Sequence, residues 1–163
     1  MPQQSATRAP ADEPEDLLRL EHQVCFALHS ASRAFGGVYR EALRDLDLTY
    51  PQYLAMLTLW EHGELPVKRM GELLRLDSGT LSPLLKRLDA AGLVQRTRNP
   101  DDERSVIVRL TSSGSALRTR AERVPAAIAA ATGLDLREMQ ALHGMLARLT
   151  ERLDAAGAPA AAE

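Results

Sequence analysis

One cysteine, Cys25, stands in this 163-residue chain. His22 and His29 flank it on a segment whose apolar residues recur at helical spacing. An imidazolium or a phenol hydroxyl beside a thiol stabilises the thiolate. A thiolate attacks peroxide to give sulfenic acid. Read as ligands, His22, Cys25 and His29 would form a metal set on one helix. Without a carboxylate or a second cysteine they make a poor zinc site, and no metal is expected. The plainest alternative is a cysteine that serves as a small buried hydrophobe. Leu17, Leu20, Val24, Leu28, Ala31 and Phe35 form the apolar stripe. At 100° per residue Cys25 falls on the flank of that stripe, about 80° from its centre, with the two histidines as helical neighbours toward the polar side. His62 reads as a boundary residue. A lone cysteine excludes any intrachain disulfide.

A second constellation lies between residues 78 and 109. On a helix over Ser78–Ala91, Leu81, Leu84, Leu85 and Leu88 share one narrow face. Gly79, Ser82, Pro83, Lys86 and Arg87 share the other, with Thr80 at the margin. Glycine and small hydroxyls near the helix start, followed by two cations, suit entry into the DNA major groove. The same pattern would serve an ordinary amphipathic helix with a solvated face. Pro83 removes the bond to the Gly79 carbonyl, so a slight kink or a nearby helix start is expected. Next come Arg96, Arg98, Arg104 and Arg109 on a two-stranded ribbon. Asp101 and Asp102, near its tip, could align the Arg104 guanidinium by pairing, leaving it to reach a narrow minor groove.

The elements that must position these groups can be read along the chain. A first helix is expected from near Pro14 to about Leu46, kinked or interrupted at Gly36-Gly37. Thr49, Pro51 and Gln52 mark the start of a second helix through Trp60, apolar on nearly every side. His62-Gly63 ends it. A short helix spans Val67–Leu74, with Val67, Met70, Leu73 and Leu74 inward. Asp77 or Ser78 caps the next helix, and Gly92 stops it. Strands are expected at Val94–Arg98 and Ser105–Leu110, joined by the Asn-Pro-Asp-Asp turn at 99–102. Thr111 caps a long helix bent at Pro125. A last helix starts near Asp135, with Leu136, Met139, Leu142, Leu146, Leu149 and Leu153 in one stripe. The expected class is mainly α with a small β-wing: a winged helix-turn-helix dimer with N- and C-terminal dimerisation helices. The divisions are a disordered tail at 1–13, an N-terminal dimerisation and sensor region at 14–46, and a DNA-binding lobe at 47–114. C-terminal dimerisation helices at 115–155 and a second disordered tail at 156–163 follow.

Composition narrows the function classes. Hydrophobic residues make up 45% and aromatics 4%, so aliphatic side chains must fill the core. No apolar run approaches the ~20 residues of a membrane span, and residues 1–16 have no apolar h-region, so neither a membrane protein nor a secretory signal is expected. A cytoplasmic location is the simplest expectation. The net charge of −2 hides an asymmetry: residues 66–109 carry nine Lys/Arg against six Asp/Glu, and the remainder eleven against sixteen. A basic middle between acidic flanks suits a nucleic-acid module held on a scaffold.

Four segments resemble the MarR family of bacterial regulators, and more closely its organic-hydroperoxide-sensing OhrR branch, one-cysteine type. They are LEHQVCFALHSASRAF (20–35), LTYPQYLAMLTLWEH (48–62), KRMGELLRLDSGTLSPLLKRLDAAGLVQR (68–96) and DDERSVIVRLTSSG (101–114). The block LDSGTLSPLLKRL with DDERSV carries the family likeness, and VCFAL with TYPQY the branch. The resemblance implies a homodimeric repressor on a pseudo-palindromic double-stranded operator. It leaves the DNA when Cys25 is oxidised by an organic hydroperoxide. Tyr39 and Tyr50 match tyrosines that approach the sulfur from the partner subunit. Ser78, Thr80, Ser82, Lys86, Arg87 and Arg104 match DNA-contacting positions. His29 stands where the branch carries a tyrosine. With no second cysteine, the oxidised thiol must take up a small thiol or over-oxidise. No cofactor is implied. Two rivals follow from the same residues. One is a regulator gated by a small aromatic ligand, with Cys25 structural. The other is a thiol peroxidase, which would lack a resolving cysteine and leave the basic wing unexplained.

Overall fold

The computed structural model describes residues 17–157, apart from Asp101 and the side chains of 102–104. The chain divides into two compact units, residues 1–37 and 38–163.

In the first unit a short 3-10 turn, Leu20–His22, precedes α1, which runs Val24–Ala42 and passes into the second unit. The helix thus starts ten residues after Pro14. Gln23, extended at φ −84° and ψ 111°, separates the turn from α1. His22 therefore lies outside the helix, and its expected i−3 relation to Cys25 is not formed; His29 keeps its place one turn beyond the cysteine. Gly36-Gly37 does not interrupt α1. Glycine weakens a helix by about 1 kcal/mol but removes no donor, so flanking turns carry the ladder through.

In the second unit a 3-10 turn at Arg44–Leu46 leads to α2, Tyr50–His62. The Thr49 hydroxyl accepts from the Gln52 N–H, and the Gln52 side chain accepts from the Thr49 N–H at 2.8 Å, a complete capping box. α2 buries Tyr53, Ala55, Met56, Thr58 and Leu59, while Leu57 stays exposed. The structure adds a strand absent from the sequence reading: β1, Leu65–Pro66, pairs with Val108 and Ile107. Two residues ending in proline carry no legible strand signal. α3 is Val67–Leu74 as expected, with Met70 fully buried. Leu73 is a correction, since it faces outward at 38% exposure. α4 spans Ser78–Ala90 and runs through Pro83, hiding Leu81, Leu84, Leu85 and Leu88. β2, Val94–Asn99, and β3, Asp102–Leu110, complete an antiparallel sheet in the order β1-β3-β2.

Thr111 caps α5, Ser112–Ala121, by accepting from the Gly114 N–H at 3.0 Å. α6 covers Arg123–Thr132. The break falls at Glu122, upstream of the expected bend at Pro125. A proline ring crowds the carbonyl four residues before it, here that of Ala121, so the discontinuity precedes the ring. α7 extends from Leu136 to Gly157. Asp135 and Glu138 cap it reciprocally, each side chain accepting the other's N–H at 2.8 Å. The helix runs two residues past 155, the expected end of the C-terminal helices, because alanines favour continuation. Neither α1 nor α7 buries a residue within the chain.

Candidate nucleic-acid interface and thiol site

Asp77 governs the start of α4. Its carboxylate accepts from the Thr80 N–H and from the Thr80 hydroxyl, both at 2.9 Å. These bonds from Thr80, backbone first, hold its carboxyl below the usual range, with further help from the Gly79 N–H. The Thr80 hydroxyl therefore spends its proton on the cap and presents lone pairs outward. A Cβ at Gly79 would lie 3.0 Å from the Asp77 carboxylate, so the capping side chain would have to give by a few tenths of an ångström. Ser78, Gly79, Thr80, Lys86 and Arg87 are exposed and Ser82 is half-buried, so α4 offers small groups first and cations a turn later. That is the order a helix needs when its N-terminal end approaches base edges.

The wing sorts the arginines that the sequence grouped together. Opposed residues of an antiparallel pair share a face. Val94 opposes Leu110, Arg96 opposes Val108 and Arg98 opposes Val106. Arg96 and Arg98 thus lie on the core-facing side. Arg109 opposes Gln95 on the other side and donates to its side-chain oxygen at 3.0 and 2.7 Å. Arg98 is exposed toward the tip. Arg96 is half-buried, and its Nε is buried without a partner. It lines a groove of about 680 Å³ shared with Lys68, Arg75, Ser78, Ser82 and Ser105. The expected roles of Asp101, Asp102 and the Arg104 guanidinium lie outside the described residues.

The thiol residues fall in both units. Cys25 is exposed on α1, so within the chain it is not a core filler. His22 and His29 are exposed too, with Glu21 3.9 Å from the His22 ring. Tyr39 and Tyr50 meet in the second unit with ring centroids 4.5 Å apart, and Tyr53 lies 6.1 Å from Tyr39. Burial, then the neighbouring Tyr50 phenol, pushes Tyr39 above the ordinary phenol value. Tyr53 is pushed the same way by burial, then by Tyr39 and Tyr50. Both phenols therefore remain proton donors at neutral pH. Sequence reasoning missed Tyr53, though its position three residues after Tyr50 on a buried helix is the signal that could have found it. Among the described residues, no three His, Cys, Asp or Glu side chains converge as a metal site.

Residues 38–120 match the family model described as "Transcriptional regulator SarA/Rot". The chain belongs to the MarR/SarA-type family of winged-helix transcription regulators. It is 45% identical over 141 residues to the organic hydroperoxide resistance transcriptional regulator of Bacillus subtilis (strain 168), covering 84% of this chain and 96% of that protein. It is 46% identical over 144 residues to the regulator TtmR of Methylorubrum extorquens (strain PA1), covering 88% of this chain and 72% of that protein. Among solved structures, reduced AbfR bound to DNA is similar at TM-score 0.67 and 36% identity, covering 82% of this chain and 93% of that one. These relatives are regulators and not enzymes, which leaves the peroxidase rival without support.

Proposed function

We propose that the protein is a homodimeric repressor that binds a pseudo-palindromic operator while Cys25 is reduced and leaves it when an organic hydroperoxide oxidises Cys25. The observation that carries this reading is an exposed sole thiol in a chain so similar to an organic hydroperoxide resistance regulator. In the reaction, the thiolate sulfur attacks the distal peroxide oxygen. The O–O bond breaks, the alcohol leaves after taking a proton, and sulfenic acid remains. A small thiol then condenses with it to a mixed disulfide and water, or a second hydroperoxide carries it to the sulfinic acid. Tyr39 and Tyr50 of the partner subunit donate hydrogen bonds to the thiolate, and His29 stands beside it on α1. On the DNA, Ser78, Gly79, Thr80 and Ser82 face the major groove. Lys86, Arg87, Arg96 and Arg98 serve phosphate or groove edges, and Arg104, held by Asp101 and Asp102, enters the minor groove. The exposed stripes of α1 and α7 form the dimer seam. A repressor of this kind works where the DNA is, and we propose a cytoplasmic location; separately, among the described residues no helix is long and apolar enough to cross a membrane.

The test is operator binding by wild type and Cys25→Ser, with and without tert-butyl hydroperoxide. Serine keeps the side-chain volume nearly unchanged and cannot follow the thiol's oxidation ladder. The variant should bind as wild type does and ignore the oxidant. Its release by hydroperoxide would remove Cys25 from the mechanism.

A further inference from the structure

The core is aliphatic, yet the chain's three tyrosines and its single tryptophan stand in one row. Tyr50 contacts Tyr39 at 4.5 Å between centroids, Tyr39 reaches Tyr53 at 6.1 Å, and Tyr53 meets Trp60 edge-on at 6.4 Å. These spacings lie in the range where aromatic rings interact directionally. Trp60 then makes a bond that packing alone would not require: its indole N–H donates to the Gly114 carbonyl at 3.0 Å.

Gly114 belongs to a tight knot. Its N–H donates to the Thr111 hydroxyl oxygen at 3.0 Å. That hydroxyl donates to the Gly92 carbonyl at 2.6 Å, and the Thr111 N–H donates to the Leu93 carbonyl at 3.1 Å. The Leu93 N–H donates to the Leu88 carbonyl in the last turn of α4 at 3.0 Å. One residue on, Val94 opens the wing opposite Leu110. A Cβ on Gly114 would lie 1.9 Å from the Leu93 carbonyl oxygen, so α5 and this turn approach as closely as backbones can. The end of the recognition helix, the roots of both wing strands and the start of α5 thus share one hydrogen-bonded joint. Trp60 ties α2 to it.

We infer that Trp60 is a positioning residue that couples the Tyr39–Tyr50 pair to the joint at Gly92–Leu93 and Thr111–Gly114, and so passes the thiol's redox state to the DNA-reading elements. This rests on the redox reading above. Each ring of the row touches the next, so a displaced tyrosine changes the contact that reaches Trp60, and the groove of about 390 Å³ beside Tyr53 and Trp60 leaves the indole room to respond. Gly114 cannot absorb the movement, because it already touches the Leu93 carbonyl. The sole tryptophan supplies a direct readout of this coupling.

The experiment follows Trp60 emission and operator release together in wild type, treated with tert-butyl hydroperoxide and free cysteine. Trp60→Phe and Cys25→Ser are run in parallel. Trp60→Phe keeps a six-membered aromatic ring and deletes the pyrrole ring with its N–H donor. We expect the wild-type emission maximum to shift as DNA is released, and Cys25→Ser to show neither change. Trp60→Phe should consume its thiol at the wild-type rate and bind the operator when reduced. The ratio of reduced to oxidised affinity should shrink by about tenfold, within the span of ordinary coupling free energies. Release of wild type with unchanged Trp60 emission, or undiminished release of Trp60→Phe, overturns the coupling and leaves the redox reading standing. Release of Cys25→Ser, or no release of wild type, overturns the redox reading and the coupling with it.

Discussion

Helix α4 hides four leucines in 13 residues, whereas α7 hides none in 22. On α7, Leu136 is 73% and Leu153 is 60% exposed. The winged lobe closes its own core around Met56, Leu59, Met70, Leu85, Leu88 and Val108. Helices α1 and α7 keep their apolar stripes in reserve. Exposed stripes of this length mark an interaction face, and a second copy with the same stripes is the simplest partner. On the proposed dimer, the lobe's stability is its own, and what the stripes of α1 and of α7 each add depends on concentration.

That contrast can be broken at its strong end first. Leu85 is fully buried, so Leu85→Ala should cost the lobe about 3 kcal/mol. Urea unfolding should show this loss independent of protein concentration. On α7, Leu142→Glu with Leu146→Glu should leave that baseline nearly intact. They should weaken dimerisation about 100-fold, the order expected when charges enter an apolar seam. Sedimentation equilibrium checks this, and an unchanged dimer would place the seam elsewhere. A smaller effect is expected at the wing. Arg104→Ala should weaken operator binding by about 1–3 kcal/mol, as for loss of one specific groove contact. Unchanged affinity at physiological salt would remove the wing tip from recognition.

The same contrast explains what the sequence revealed. In the lobe, local rules and burial agree, and α3 was legible to the residue. So were the Thr49 and Thr111 caps; the cap of α4 was narrowed to Asp77 or Ser78, and the β2–β3 ribbon was placed with its second strand expected at Ser105, where it starts at Asp102. At the terminal helices the determinants lie outside the chain or act at a distance. The start of α1 depended on an extended Gln23, which no periodicity announces. The break at Glu122 is caused by a proline three residues later, and the alanines after Leu153 carry the helix on. Within the site, the face of α4 was readable at 100° per residue. The split between Arg96 and Arg109 required the strand register, and the buried Arg96 Nε required the packed structure. Tyr53 and Trp60 were visible as residues, but their alignment with Tyr39 depended on how α2 meets the end of α1.

The smallest expected effect tests whether lobe and α7 are independent at all. Arg75 ends α3 in the left-handed region, at φ 54°, and its guanidinium donates to Asp154 of α7 at 2.6 Å. Both side chains are more than half exposed. An exposed pair gains little Coulomb energy, loses side-chain freedom and is screened by salt, so it contributes about 0.5 kcal/mol or less. The left-handed backbone at a non-glycine residue costs more than that, about 1 kcal/mol, so the pair is not what holds the turn in place. The hydrogen bond from the Leu76 N–H to the Gly71 carbonyl at 3.0 Å, with the close approach at Gly71, does so instead. A double-mutant cycle of Arg75→Ala and Asp154→Ala should therefore give a coupling of about 0.3 kcal/mol that fades in 1 M salt. A coupling above about 1.5 kcal/mol that survives salt would exceed anything an exposed pair supplies. It would mean that the helix-turn-helix is bolted to α7, and that lobe and dimer helix move as one body.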